Sequence, residues 1–273
     1  MRLGVSAMSV KFGRPLLDEV VLDYGPLERL SRCLIAGDAI ARQHGITLSF
    51  ETLETVVEIN RRNGDSWLPI TPTYDPSVWR GDDHNAFAIV GRDSAGEIVT
   101  THATRVFHWS TDTNFGAEAN ALRIFYRNPE ADANSGESCH VTAPSAYKVT
   151  GRVALGGGIW IRPDFRGSRL TQLMGRMGRA YVIGKYDITH HTAVMTETVF
   201  NRGLWRISGY SRIDHWMDWR HSRLAERVRL CFLEMTIPET LDDLEATLIG
   251  SVDRRSATSP VTQRDADITD RRT

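Results

Sequence analysis

The sequence predicts an α/β (α+β) fold, with helices and strands built around one sheet. Three observations carry that reading. Thr150 to Tyr210 runs strand, turn, helix, strand, short helix. His84 to Phe107 alternates on either side of a turn, as a hairpin does. Two further alternating runs, Ser211 to Met217 and Arg227 to Thr236, look like closing strands.

Taken in order, Leu16 to Leu22 reads either as a strand or as the start of a helix. Pro26 to His44 is a helix: Pro26 suits the first position, Leu27, Leu30 and Leu34 share a face, and Gly45 stops it. Ser49 to Asn63 is a second helix, with Ser49 as cap, Leu53, Val56, Val57 and Asn60 inward, and Asn63-Gly64 as the end. Pro69, Pro72 and Pro76 then exclude regular structure, so Trp67 to Gly81 is a loop pinned by Trp67, Tyr74 and Trp79. In the hairpin, Asp93-Ser94-Ala95-Gly96 supplies the turn, and His102 and His108 read as sheet-surface residues. Trp109 to Lys148 is long for a connection, with a helix expected at Ala117 to Tyr126 and a short strand within Cys139 to Lys148.

The central stretch opens with Val153 to Ile161, an uncharged apolar run that reads as a buried strand. Pro163 ends it, having no N–H for a ladder. Leu170, Leu173, Met174, Met177, Ala180 and Tyr181 then recur at helical spacing, and Arg166, Arg169, Arg176 and Arg179 fall mostly off that face. Unpaired amides where a turn enters a helix suit a phosphate, and Arg166 and Arg169 add charge there, so Arg166 to Thr171 reads as a pyrophosphate site. A strand–turn–helix unit that binds no phosphate is the alternative. A further strand follows at His191 to Thr196, and Pro238 to Leu248 forms a final helix. Ser251 to Thr273 lacks core-forming residues and is expected to be a disordered tail. Residues 1–250 are expected to form one domain, with 109–148 inserted in it.

This stretch resembles the acyl-CoA-binding core of the GNAT family, the GCN5-related N-acetyltransferases. Pro163-Asp164-Phe165-Arg166-Gly167-Ser168 matches the lead-in, the Arg and the first Gly of the family's turn. Arg169 and Thr171 stand where the family usually has Gly or Ala, and Asn201 opens a segment ending in the family's Gly-aromatic pair, Gly209-Tyr210. The resemblance covers Leu27 to Met235. It implies a mixed, mostly antiparallel central sheet flanked by helices, the acyl-CoA N-acyltransferase fold. It also implies acetyl-CoA or another acyl-CoA as cosubstrate, no metal, and a small-molecule or protein amine as acceptor. CoA would be held by Ile159, Trp160, Ile161, Arg166, Gly167, Ser168, Arg169, Leu170, Thr171, Asn201 and Trp205. The strand to Ile161 would carry a bulge and splay from the next strand, and Gly156-Gly157-Gly158 are in place for one; close packing on the helix is the other account of these glycines. The two early helices would border the acceptor site, and the 109–148 insertion would join the acceptor pocket or decorate the surface.

The acid and base are less direct. The family's usual acidic Tyr is replaced by Trp205, and Val153 to Ile161 has no carboxylate. That leaves His191, Glu197 and Tyr210 as candidate catalytic residues. His190 and His191 are adjacent on a strand and point to opposite faces, which excludes a simple bidentate metal site; one is expected in the core and one on the surface. A GNAT-fold protein that binds acyl-CoA or another ligand without efficient turnover is the second reading, and an accessory module that keeps only the fold is a third.

Bulk properties narrow the setting. With 273 residues, 41% hydrophobic and 25% charged, the chain has a globular composition, and its net charge of −1 gives no field for nucleic acid or an anionic membrane. Cys33, Cys139 and Cys231 show no paired spacing, no run approaches eighteen apolar residues, and Met1 to Pro15 has no apolar segment of signal-peptide length. A cytoplasmic monomer or homodimer is expected, with no nucleic-acid or membrane partner.

Overall fold

The computed structural model describes residues 13–250. The expected tail at 251–273 lies outside the described residues, as do residues 1–12. The elements in chain order are α1 (Leu16–Glu19), α2 (Leu27–Gln43), β1 (Thr47–Glu51), α3 (Leu53–Arg62), β2 (Ala86–Arg92), β3 (Ile98–His108), α4 (Phe115–Asn120), α5 (Pro129–Asp132), β4 (Ser138–Val141), β5 (Arg152–Ile161), α6 (Leu170–Tyr186), β6 (His190–Thr196), α7 (Glu197–Asn201), α8 (Trp205–Ser208), β7 (Arg212–Arg220), β8 (Arg227–Thr236) and α9 (Ile237–Leu244). Eight strands form one sheet in the order β1-β2-β3-β5-β6-β8-β7-β4. Only β5 and β6 run parallel, joined by the crossover helix α6; every other pairing is antiparallel. This is the mixed, mostly antiparallel sheet that the family resemblance implies.

The second helix begins later than its pattern suggests. Thr47–Glu51 is an edge strand paired with β2, and α3 starts at Leu53 with Thr52, not Ser49, as the cap; the Thr52 hydroxyl accepts from the Thr55 amide at 3.3 Å. Leu48 and Ser49 are buried in that strand. Sheet pairing has here overridden a helical reading of a short apolar run. The helix expected at Ala117 to Tyr126 is likewise shorter, ending at Asn120, and Phe125 and Tyr126 follow it in a buried turn.

Two cores lie on opposite faces of the sheet. On one, α2 and α6 cover Ile89, Val106 and Ala154 with Leu30, Leu34, Leu173, Met174 and Met177. On the other, the 109–148 insertion packs Phe115, Phe125 and Tyr126 with Leu155, Trp219 and Phe232. Phe125 stacks on Trp219 at 3.8 Å between centroids. The insertion is thus core rather than decoration, and its strand β4 pairs with β7 at the outer edge of the sheet. The proline-rich loop is pinned as expected: Trp79 donates to the Pro72 and Phe125 carbonyls, and Trp67 stacks on Trp160.

Arg176 and Arg179 do lie off the apolar stripe of α6, yet both are buried, at 5% and 3% exposure. The reason is α9, which covers that second face and presents Asp243 to both guanidiniums. His102 is also buried rather than on the sheet surface: it points at α6, where Gly178 leaves room for its ring.

Candidate active site

The site begins where two neighbouring strands part. β5 and β6 pair only from Val153/His190 to Gly156/Ala193. Beyond that point β5 stays with β3 as far as Ile161, and β6 stays with β8 as far as Thr196. The result is a V-shaped opening in the middle of the sheet. Its walls, Gly157, Gly158 and Ile159 on one side and Ala193 to Thr196 on the other, are partly exposed although both strands are central. On β5, Gly158 and Ile159 stand opposite the single residue His102 of β3, which is a bulge, with Gly158 at φ 56°. Thr101 stabilises it by donating its hydroxyl to the Gly158 carbonyl at 2.8 Å. The bulge turns Ile159 toward α6 and Trp160 toward the other face, where the indole donates to Ser66 Oγ at 3.1 Å.

The mouth of the V is the turn into α6. Gln172 and Leu173 donate to the Arg169 carbonyl, whereas the amides of 167–171 have no acceptor among the described residues. Gly167 and Arg169 both have positive φ, 86° and 63°, and nothing lies within 4 Å of where a Cβ on Gly167 would be. The two arginines differ. Arg166 donates to the carbonyls of Ile161 (3.3 Å) and Ser66 (3.0 Å), tying the turn to the loop before Trp67. Arg169 is exposed, and its side chain makes no hydrogen bond or ion pair among the described residues.

At the closed end of the V, two of the three candidate catalytic residues meet. The Tyr210 hydroxyl is 3.0 Å from His191 Nδ1 and 3.4 Å from the Thr192 carbonyl. His191 is 1% exposed; burial, then the nearby Arg179, drives its pKa well below the ordinary imidazole value, so it is neutral. Burial raises the Tyr210 pKa, and Arg179, over its ring at 4.4 Å, pulls the other way. His102 lies on the other side of Gly156, its Nε2 3.0 Å from Thr104 Oγ1, and burial lowers its pKa to about 3. His190 faces the other way and contacts Glu234 at 3.0 Å, as alternation along a strand requires.

The third candidate, Glu197, is not brought to this point. It opens α7 and is paired with Arg229 at 2.7 Å. Trp205 stacks on Phe200, 5.8 Å between centroids, and joins a ring cluster with His215 and Trp216. Asn201 ends α7 and is exposed. The residues that sequence reasoning missed are Arg179, Asp243 and His102. A buried Arg pair leaves no periodic signature, and Asp243 is distant in sequence from α6. A separate open cleft of about 510 Å³, lined by residues such as Trp79, His84, Trp109 and Arg127, includes none of the candidate residues.

Among the described residues no group of side chains has metal-holding geometry, and no helix is long and apolar enough to cross a membrane. No protein-family model and no curated protein matches the chain. Solved structures do resemble it in fold. A spermidine N-acetyltransferase variant from Vibrio cholerae has 8% identity and a TM-score of 0.44, covering 73% of this chain and 98% of its own. A GNAT-superfamily phosphinothricin acetyltransferase from Sinorhizobium meliloti, in complex with acetyl-CoA, has 13% identity and a TM-score of 0.40, covering 70% and 88%. The bulged β5, its divergence from β6 and the α6 crossover are features of this chain itself, and they are the ones that the resemblance to the GNAT family implies.

Proposed function

We propose that this protein is an acyl-CoA-dependent N-acyltransferase, moving an acetyl group from acetyl-CoA to an amine of a small molecule or a protein. The observation that carries this reading is the V between β5 and β6, open in mid-sheet, with unpaired amides at its mouth and a phenol at its closed end. The residues present fit an acyl-CoA. The amides of 167–171 and the free Arg169 suit its phosphates, aided by the positive end of the α6 dipole. The exposed strand edge at Gly157 to Ile159 offers backbone groups to an extended, amide-bearing arm.

Acyl-CoA supplies an acyl group activated as a thioester; the chain's own residues have to orient it and handle protons. Tyr210 holds a proton on Oη at the closed end of the V and is the group suited to give it to a departing thiolate. His191 stays neutral and keeps the phenol in place through Nδ1. This replaces the acid missing at Trp205. Glu197, held by Arg229, contributes to the wall rather than to proton transfer.

Calorimetry with CoA and thiol release over an amine panel test this. Arg169→Glu is expected to weaken CoA binding at least about tenfold with unchanged melting. Tyr210→Phe is expected to leave CoA affinity within a few fold and slow thiol release by about 10²–10⁴. A wild-type protein that does not bind CoA removes the proposal. One observation favours a second reading, a CoA binder without efficient turnover: Val153 to Ile161 has no carboxylate and Glu197 is already ion-paired, so no acidic side chain serves as base at the V. CoA binding with no thiol release from any amine would select it.

A further inference from the structure

We propose that Arg179, clamped by Asp243 of α9, is the positioning residue that holds the Tyr210 phenol on His191 and decides which of the two keeps the proton. The observations are geometric. Asp243 accepts from Arg176 at 2.7 Å and from Arg179 at 2.9 Å. Arg176 also donates to the Gln172 and Ile207 carbonyls, each at 3.2 Å. Arg179 donates to the Ser208 carbonyl, and its guanidinium carbon lies over the Tyr210 ring, 4.4 Å from the centroid. The chain from Ile207 to Tyr210 is therefore fastened to α6 and α9 on the residues that immediately precede the phenol. Gly209, at φ 80°, passes directly over the clamp: a Cβ there would lie 2.6 Å from Arg176 Nη2 and 2.8 Å from Asp243 Cγ.

Charge adds direction to that fastening. Two buried guanidiniums face one partly exposed carboxylate, which leaves one positive charge unmatched at this point. The other titratable groups facing the phenol and His191 are His102 from β3 and Tyr74 from the proline-rich loop, and neither carries a compensating negative charge. A cationic His191 would add a second unmatched charge, whereas negative charge on the Tyr210 oxygen would answer the first. Arg179 thus keeps His191 neutral and makes the phenol the better proton donor. Asp243 moderates it, since removing that carboxylate would leave both arginines unmatched. This deepens the proposed role of Tyr210 and rests on it for its catalytic meaning. The proton itself can be followed without any substrate.

The test places 3,5-difluorotyrosine, whose phenol ionises well below that of tyrosine, at position 210 and follows its titration by fluorine NMR. Arg179→Gln is expected to raise the midpoint by about one pH unit or more, since it removes a cation in contact with the ring. Asp243→Asn is expected to lower it by about half a unit or more, since it unmasks that cation. Arg179→Lys should retain most of the wild-type position. A purely structural clamp would let the turn loosen in both variants and move both midpoints the same way. Shifts of equal sign, or no shift in either, overturn the proposal. Should Arg179→Gln fail to fold, Asp243→Asn decides alone, and a midpoint that does not fall overturns it. Failure of CoA binding in the wild type would remove the acyltransferase reading and leave this titration as it stands.

Discussion

Replacing Gly178 by alanine should destabilise the protein, against the ordinary expectation for a helix interior. Gly to Ala in the middle of a helix gains about 0.8–1.0 kcal/mol from backbone entropy alone. At Gly178 the new methyl would overlap Nε2 and Cδ2 of His102 and lie 3.1 Å from its Cε1. That ring is 2% exposed and cannot swing into solvent. Moving it breaks the 3.0 Å contact with Thr104 and strands a second buried nitrogen, since Nδ1 already has no partner. Overpacking costs about 1–3 kcal/mol and a lost buried hydrogen bond about 1–3 more. Loss exceeds gain, leaving a net destabilisation of about 2 kcal/mol, which is about 4–8 °C in melting temperature for a domain of this size. Gly175, one turn earlier, is the control. Its Cβ would meet only Ile159 Cδ1 at 3.8 Å and Arg179 Nη2 at 3.9 Å, ordinary contact distances, so Gly175→Ala should be neutral or stabilising by up to about 1 kcal/mol. Calorimetric unfolding of both variants separates them. A Gly178→Ala protein as stable as Gly175→Ala, or more so, would mean that His102 does not lie under α6, and the buried polar group behind Gly156 would have to be redrawn.

Two other expectations follow from the same geometry. The depressed pKa of His102, about 3 against about 6.5 when unfolded, means the unfolded chain binds the extra proton first; stability should be full above about pH 6.5 and decline as pH falls toward 3, and His102→Gln should flatten that slope in thermal melts. Glu239, held near 2 by Arg212, adds a second loss below about pH 4.5 in the same direction. Trp205→Tyr should leave the rate of thiol release within about twofold, because position 205 stacks on Phe200 and does not contact His191; a tenfold rise would transfer the proton-donor role from Tyr210 to that position.

By itself the sequence determined the elements whose signals are local. Period 3.6 with a proline start marked α2, an apolar run ended by Pro163 marked β5, and three consecutive glycines marked a place for either a bulge or close packing on the helix, of which the structure has the bulge. The turn from Arg166 to Thr171 was legible for the same reason, since a row of unpaired amides needs only a few adjacent residues in the right conformations. Tertiary structure decided the rest. Thr47–Glu51 became a strand because β2 offered it an edge, an influence some forty residues away that no local pattern contains. His102, Arg176 and Arg179 look like surface residues when only their own element is considered. Gly178 and Asp243, on other elements or another face, create the space and the charge that bury them. Tyr210 and His191 were each legible as candidates, but their 3.0 Å contact depends on where β6 ends its pairing with β5 and on how α9 fastens the turn at Gly209. Periodicity reports which side of an element is apolar; what covers the other side is set by long-range packing, and in this protein that packing brings Tyr210 and His191 together.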